Sequence, residues 1–159
     1  MSVFVISRVR LVRFNHRRIA RFVSTVLSSI GESSSELSLT FVGDRRMQHL
    51  NYQYRRKDCA TDVLAFAARD VRIPRCEHLT QRFLGDVVIA APTAMRQARQ
   101  EHRSLDEEVA ALIVHGVLHL CGYDHEQSAS EARRMFRREH LILRQLGRIP
   151  RFTRVAVNR

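Results

Sequence analysis

Apolar residues recur along this chain with two periods, and the switches between them mark out its elements. Ser7-Arg8-Val9-Arg10-Leu11 alternates polar and apolar, which predicts an amphipathic strand. From Asn15 to about Ile30 the apolar positions Ile19, Phe22, Val23, Val26, Leu27 and Ile30 stand three and four apart, the spacing of one helix face, and Gly31 supplies a stop. Leu37–Val42 alternates again and predicts a second strand, ending at Gly43-Asp44. There Asp44 is suited to cap a helix through Met47 and Leu50 to about Tyr54. Val63–Phe66 and Leu84–Ala90 read as two further strands, and Pro92 fits the first position of the helix that follows. Between those strands, Asp70–Phe83 mixes Pro74, Cys76 and charges and reads as a mobile loop.

The second half is helical. Ser104-Leu-Asp-Glu107 is a capping box, in which the Ser hydroxyl and the Glu carboxylate satisfy the free amides of a helix start. The helix it opens runs from Leu105 to about Cys121, where Gly122 stops it. From Val109 to Cys121 that helix is apolar almost all round, broken only by His115, Gly116 and His119, which predicts burial in the core. A last helix, about Ser128 to Leu146, carries Met135, Phe136, Ile142 and Leu143 among Arg133, Arg134, Arg137 and Arg138. No repeat or linker divides the chain. The pattern predicts one α+β domain over 1–159, a small mixed sheet of about four strands packed with about five helices around the buried 105–121 helix.

Composition adds a few exclusions. No apolar run reaches the roughly 18 residues of a membrane span. The first ten residues put apolar ahead of basic, with no small-residue cleavage site, which argues against a secretory signal. Cys59, Cys76 and Cys121 are odd in number and far apart, so a disulfide scaffold is not expected and a reducing compartment fits. Charge changes the picture more. The formal net charge is +11, and Lys57 is the one cation among the Lys and Arg that is not Arg. Residues 8–21 hold six Arg and no acid, and Arg133–Arg159 holds nine Arg against one acid, Glu139. Such ends attract polyanions through Coulomb forces and counterion release, although an Arg-rich coding bias gives the same composition with no ligand at all.

The chemistry sits in His115-Gly-Val-Leu-His119-Leu-Cys-Gly-Tyr-Asp-His125. His115 and His119 are one turn apart on one helix face. Gly122 permits a positive φ, so the chain can reverse and bring His125 back to that face. Three imidazoles then converge and leave one tetrahedral position open, the layout of a catalytic zinc site; nickel, cobalt and copper suit the same donors. A lone histidine in a buried helix is more often a hydrogen-bonded core residue, but two unpaired ones would cost on the order of 1–3 kcal/mol each. Zinc peptidases of the H-E-x-x-H type need a Glu directly after the first His; here that place is Gly116. Asp124 reads equally as an acceptor that orients one imidazole or as a residue capping its own turn.

The histidine motif resembles the signature of the YbeY family of metal-dependent endoribonucleases. Leu50-Asn51-x-x-Tyr54-Arg55, Thr61-Asp62-Val63-Leu64-x-Phe66 and Leu84-Gly85-Asp86-Val87-Val88-Ile89 resemble further family segments in the family's order. The resemblance implies a small cytoplasmic enzyme with one Zn2+ on His115, His119 and His125 plus a water. It implies cleavage of single-stranded RNA, with roles in 16S rRNA 3′-end maturation and ribosome quality control. Arg55 matches the family's motif arginine, which would hold the scissile phosphate; without the resemblance it reads as a surface cation in the run Arg55-Arg56-Lys57. Ala60, Ala65 and Ala67 stand where the family usually has proline, serine and proline. Thr61, Asp62 and Asp86 are expected to be structural, and Arg133, Arg134, Arg137 and Arg138 to track RNA phosphates. Two other readings stay open: a metal hydrolase acting on peptides or amides, and a non-catalytic ribosome-assembly factor stabilised by zinc.

Overall fold

A computed structural model describes residues 2–70 and 82–155 of the chain. Nearly all of the segment expected to be a mobile loop, 71–81, lies outside the described residues. The elements are β1 (Val3–Ser7), β2 (Val12–Phe14), α1 (His16–Ser29), β3 (Glu36–Val42), α2 (Asp44–Arg55), β4 (Val63–Ala67), β5 (Phe83–Ala90), α3 (Ala91–Gln100), α4 (Leu105–Leu120), α5 (Ala129–Leu146) and β6 (Thr153–Val155). Four strands make one mixed sheet in the order β1-β3-β5-β4, with β1, β3 and β5 parallel and β4 antiparallel to β5. This is the α+β arrangement expected from the pattern.

Alternation along β3 and β5 separates two cores. Leu37, Leu39, Phe41, Val87 and Ile89 point to one side and pack with Ile19, Phe22, Val23, Val26 and Leu27 of α1 and the apolar face of α4. Val42, Leu64 and Val88 point to the other, where α2 contributes Met47. The first side is the larger, and α4 lies in it. Its capping box forms as predicted: the Glu107 amide donates to Ser104 Oγ at 3.1 Å, and the Ser104 amide to Glu107 Oε2 at 2.8 Å. Gly116 presses α4 onto the sheet, since a Cβ at that position would stand 2.6 Å from Val87 Cγ1.

Three features differ from the pattern-based expectation. The first strand is Val3–Ser7, not 7–11, although the Arg8 amide still donates to the Phe41 carbonyl at 2.8 Å. Alternation is hidden there because Phe4 and Ile6 are exposed apolar residues, so both faces of β1 look hydrophobic. Asp44 is the first residue of α2 and not its cap, which is Gly43. Its carboxylate instead accepts from Thr93 Oγ1 at 2.7 Å and pairs with Arg96 at 2.7 Å, tying α2 to α3. Finally, β2 and β6 form a two-stranded antiparallel ribbon that joins the two ends of the chain. Strands of three residues are too short for any periodicity to reveal.

Candidate metal centre

Two pieces of local structure build the site. Helix α4 holds His115 and His119 on one face, both half-buried, and ends at Cys121. Gly122 then takes a φ of +100°, and the reversal it allows returns His125 to the end of the helix. His119 Nε2 lies 3.1 Å from His115 Nε2 and 3.0 Å from His125 Nδ1. One ligand atom from each of the three rings lies within 4.8 Å of the others.

The donor set fits a metal ion. Tetrahedral bonds of 2.0–2.1 Å to nitrogen place neighbouring donors about 3.3 Å apart, close to the spacings here. His115 Nδ1 lies 2.5 Å from Glu139 Oε1, and a proton on Nδ1 donated to that carboxylate turns the lone pair of Nε2 inward. A proton on His119 Nε2 can serve one of its two facing nitrogens well, whereas a cation serves all three rings. Burial, and then the neighbouring His115 and His125 rings, push His119 down to about 4, which keeps it in the neutral form that a metal binds. Burial also pushes the thiol of Cys121, which caps α4 and packs against the core, up to about 11, so it stays protonated.

Around the imidazoles opens a cleft of 590 Å³ whose lining includes Arg55, Thr61, Asp62, Phe66 and Glu126. Arg55, the last residue of α2, also lines it and pairs at 2.8 Å with Glu126, the residue after His125. The loop between α2 and β4 is held from beneath. Asn51, buried in α2, donates from Nδ2 to the Cys59 carbonyl at 2.8 Å. Asp62 accepts from the Val63 amide at 2.8 Å and from Gln97 Nε2 at 3.1 Å. Asp86 accepts from the Ser38 hydroxyl of the neighbouring strand. Ala65, at the position of the family serine, also lines the cleft.

Other sequence-derived candidates lie elsewhere. Asp124 accepts from the Glu126 amide at 2.8 Å, closing its own turn, and the carboxylate that meets an imidazole is Glu139 of α5. Arg133, Arg134 and Arg137 are exposed along α5 and Arg138 is half-buried, all outside the cleft lining. Arg134 lies over the Tyr123 ring at 5.4 Å. No local spacing points to Glu126 or Glu139. Glu139 is 24 residues from its partner, and the pairing exists because α5 packs back along α4.

A sequence model of the family described as Endoribonuclease YbeY matches residues 7–147. The chain belongs to the YbeY endoribonuclease family. It is similar to the Endoribonuclease YbeY of Anaeromyxobacter sp. (strain Fw109-5), 44% identical over 131 residues, spanning 82% of this chain and 65% of that one. Against the Endoribonuclease YbeY of Aquifex aeolicus the identity is 38% over 144 residues, 91% of this chain and 92% of the other. The fold is similar to the solution structure of TM1509 from Thermotoga maritima, with a TM-score of 0.59 and 20% identity over 88% of this chain and 85% of that one. Family membership agrees with the histidine motif and its accompanying segments. No helix among the described residues is long and apolar enough to cross a membrane.

Proposed function

We propose that this chain is a single-domain, zinc-dependent endoribonuclease that cuts single-stranded RNA in the cytoplasm, with ribosomal RNA as its substrate. One observation carries the reading: three imidazole nitrogens face one point in a cleft that Arg55 also lines. His115, His119 and His125 are the residues that would hold the ion, and Glu139 orients the first of them. The ion, when bound, supplies Lewis acidity toward a phosphoryl oxygen and an attacking water. Three neutral ligands leave its +2 charge uncompensated, which suits an anionic diester.

Arg55 does the chain's own share of the chemistry. Its guanidinium donates to a phosphate and stabilises the charge that builds as the phosphorus centre is attacked. Glu126 holds that side chain at the mouth of the cleft through Nη2. The remaining guanidinium donors can then meet the phosphate without first being ordered. Asn51 and Asp62 are positioning residues, since they fix the loop between Arg55 and the cleft wall.

Two variants and one assay panel test this. Purified wild type should contain about one zinc per chain and cleave single-stranded RNA while leaving a peptide panel intact. Arg55→Ala should keep its metal and lose about 10²–10³-fold in cleavage rate. His119→Ala should lose both metal and cleavage. Full cleavage by metal-loaded Arg55→Ala would remove that residue from the mechanism, and cleavage that persists without metal would overturn the proposal.

A further inference from the structure

The ribbon of β2 and β6 brings the two basic ends of the chain together. Its register sets Arg13 directly opposite Arg154, so two guanidinium stems leave the same face of the ribbon side by side. Like charges in that relation repel. Arg18 and Arg151 join them, and the four arginines line one pocket with Phe14, Asn15, Phe152 and Thr153, none of which is an acid. Among the described residues, none of the four arginines forms an ion pair.

Contacts that form no ion pair with the four arginines impose this arrangement. Phe152 is buried and meets the Phe22 ring edge-on at 5.2 Å. Asp106, the one carboxylate bonded to the ribbon among the described residues, spends a single oxygen on three donors: the Phe152 and Thr153 amides and the Thr153 hydroxyl, at 2.8–2.9 Å. The Arg18 guanidinium donates to the Arg151 carbonyl at 3.1 Å, which fixes one of the four in place. The fold therefore holds a cluster of unneutralised guanidiniums whose natural complement is an anion with several oxygens.

We propose that this ribbon is a second phosphodiester seat, which grips the backbone of the RNA far from the cut. The proposal rests on the reading of the cleft as an RNA-cleaving centre. Asp106 anchors the ribbon to the first turn of α4, and His119 lies in its last. Thirteen residues at 1.5 Å each separate the two by about 20 Å. At roughly 3.4 Å per nucleotide, that distance spans about six nucleotides of a stacked strand. An RNA shorter than this on either side of the cut cannot occupy both places.

The test is the triple variant Arg13→Gln, Arg151→Gln, Arg154→Gln, with Arg18 kept for its backbone contact. Binding of fluorescein-labelled, cleavage-resistant (2′-O-methyl phosphorothioate) single-stranded RNA of 5 and 30 nucleotides is read by anisotropy on the full chain with His119 and its metal intact, and KM is read on the same protein with unmodified RNA. The triple variant should weaken the 30-mer about tenfold or more and leave the 5-mer within twofold. The salt slope for the 30-mer should fall by about two, at roughly 0.7 per phosphate contact. Equal losses at both lengths, or an unchanged slope, would overturn the seat. So would inorganic phosphate at low millimolar concentration abolishing the 30-mer's advantage, which would mark a free-anion site. Polyglutamate displacing the 30-mer as well as unlabelled RNA does would also overturn it, in favour of an acidic protein surface. If the protein cuts neither unmodified RNA, the reading of the cleft fails, while the binding arm still decides the ribbon.

Discussion

At the scale of single residues, the centre depends on which nitrogen of each ring faces inward. His115 is fixed by Glu139, from another helix, and that contact holds both the tautomer and the ring plane. Glu139→Gln should therefore weaken metal affinity about 10–100-fold in a chelator competition while the fold is kept. Asp124→Asn supplies the contrast. Asp124 closes its own turn, so its loss should act through the position of His125 and cost less than Glu139→Gln in the same assay. The convergence of the three imidazoles was readable from the chain because its parts are local: an i, i+4 pair, a glycine break and a third histidine. Glu139 was not, since a contact made across packed helices leaves no spacing in the sequence.

At the scale of elements, caps and periods served well where the signal was local. The Ser104 capping box and the stop at Cys121-Gly122 fixed both ends of α4 in advance. Asn15 and Ser128 cap α1 and α5, accepting from the Arg18 and Glu131 amides. The pattern failed for β1, where Phe4 and Ile6 face outward, and for β2 and β6, which consist of three residues each. The first turn of α4 also carries a buried carboxylate, Glu108, which is 3% exposed and lies 2.6 Å from Arg103. Burial pushes its pKa up, against the pull of Arg103. The folded state thus holds this proton at a pH where the unfolded chain has released it, and stability falls as pH rises from about 4.5 through the raised value. Glu108→Gln removes that dependence. The melting temperature of this variant relative to wild type should climb across the same pH window, and a flat difference would contradict the burial argument.

At the scale of the whole molecule, charge and chemistry occupy different regions. The histidines lie at one end of α4, the ribbon arginines at the other, and α5 runs along α4 with its own exposed arginines. Reversing Arg133, Arg134, Arg137 and Arg138 to Glu should weaken RNA binding and flatten its salt dependence without loss of the bound metal; an unchanged salt slope would separate these residues from RNA. The charge asymmetry was visible in composition, but the meeting of the two basic ends was not, because it depends on a ribbon closed between residues 12–14 and 153–155. Packing sets a further boundary, on what this scaffold could become. Position 116, where zinc peptidases keep their glutamate, has its Cβ direction filled by Val87. Gly116→Ala alone should cost about 1–3 kcal/mol in denaturant unfolding, as overpacking does. A glutamate there would run into β5 before it could reach a substrate, so evolution toward proteolysis would need the sheet to retreat first.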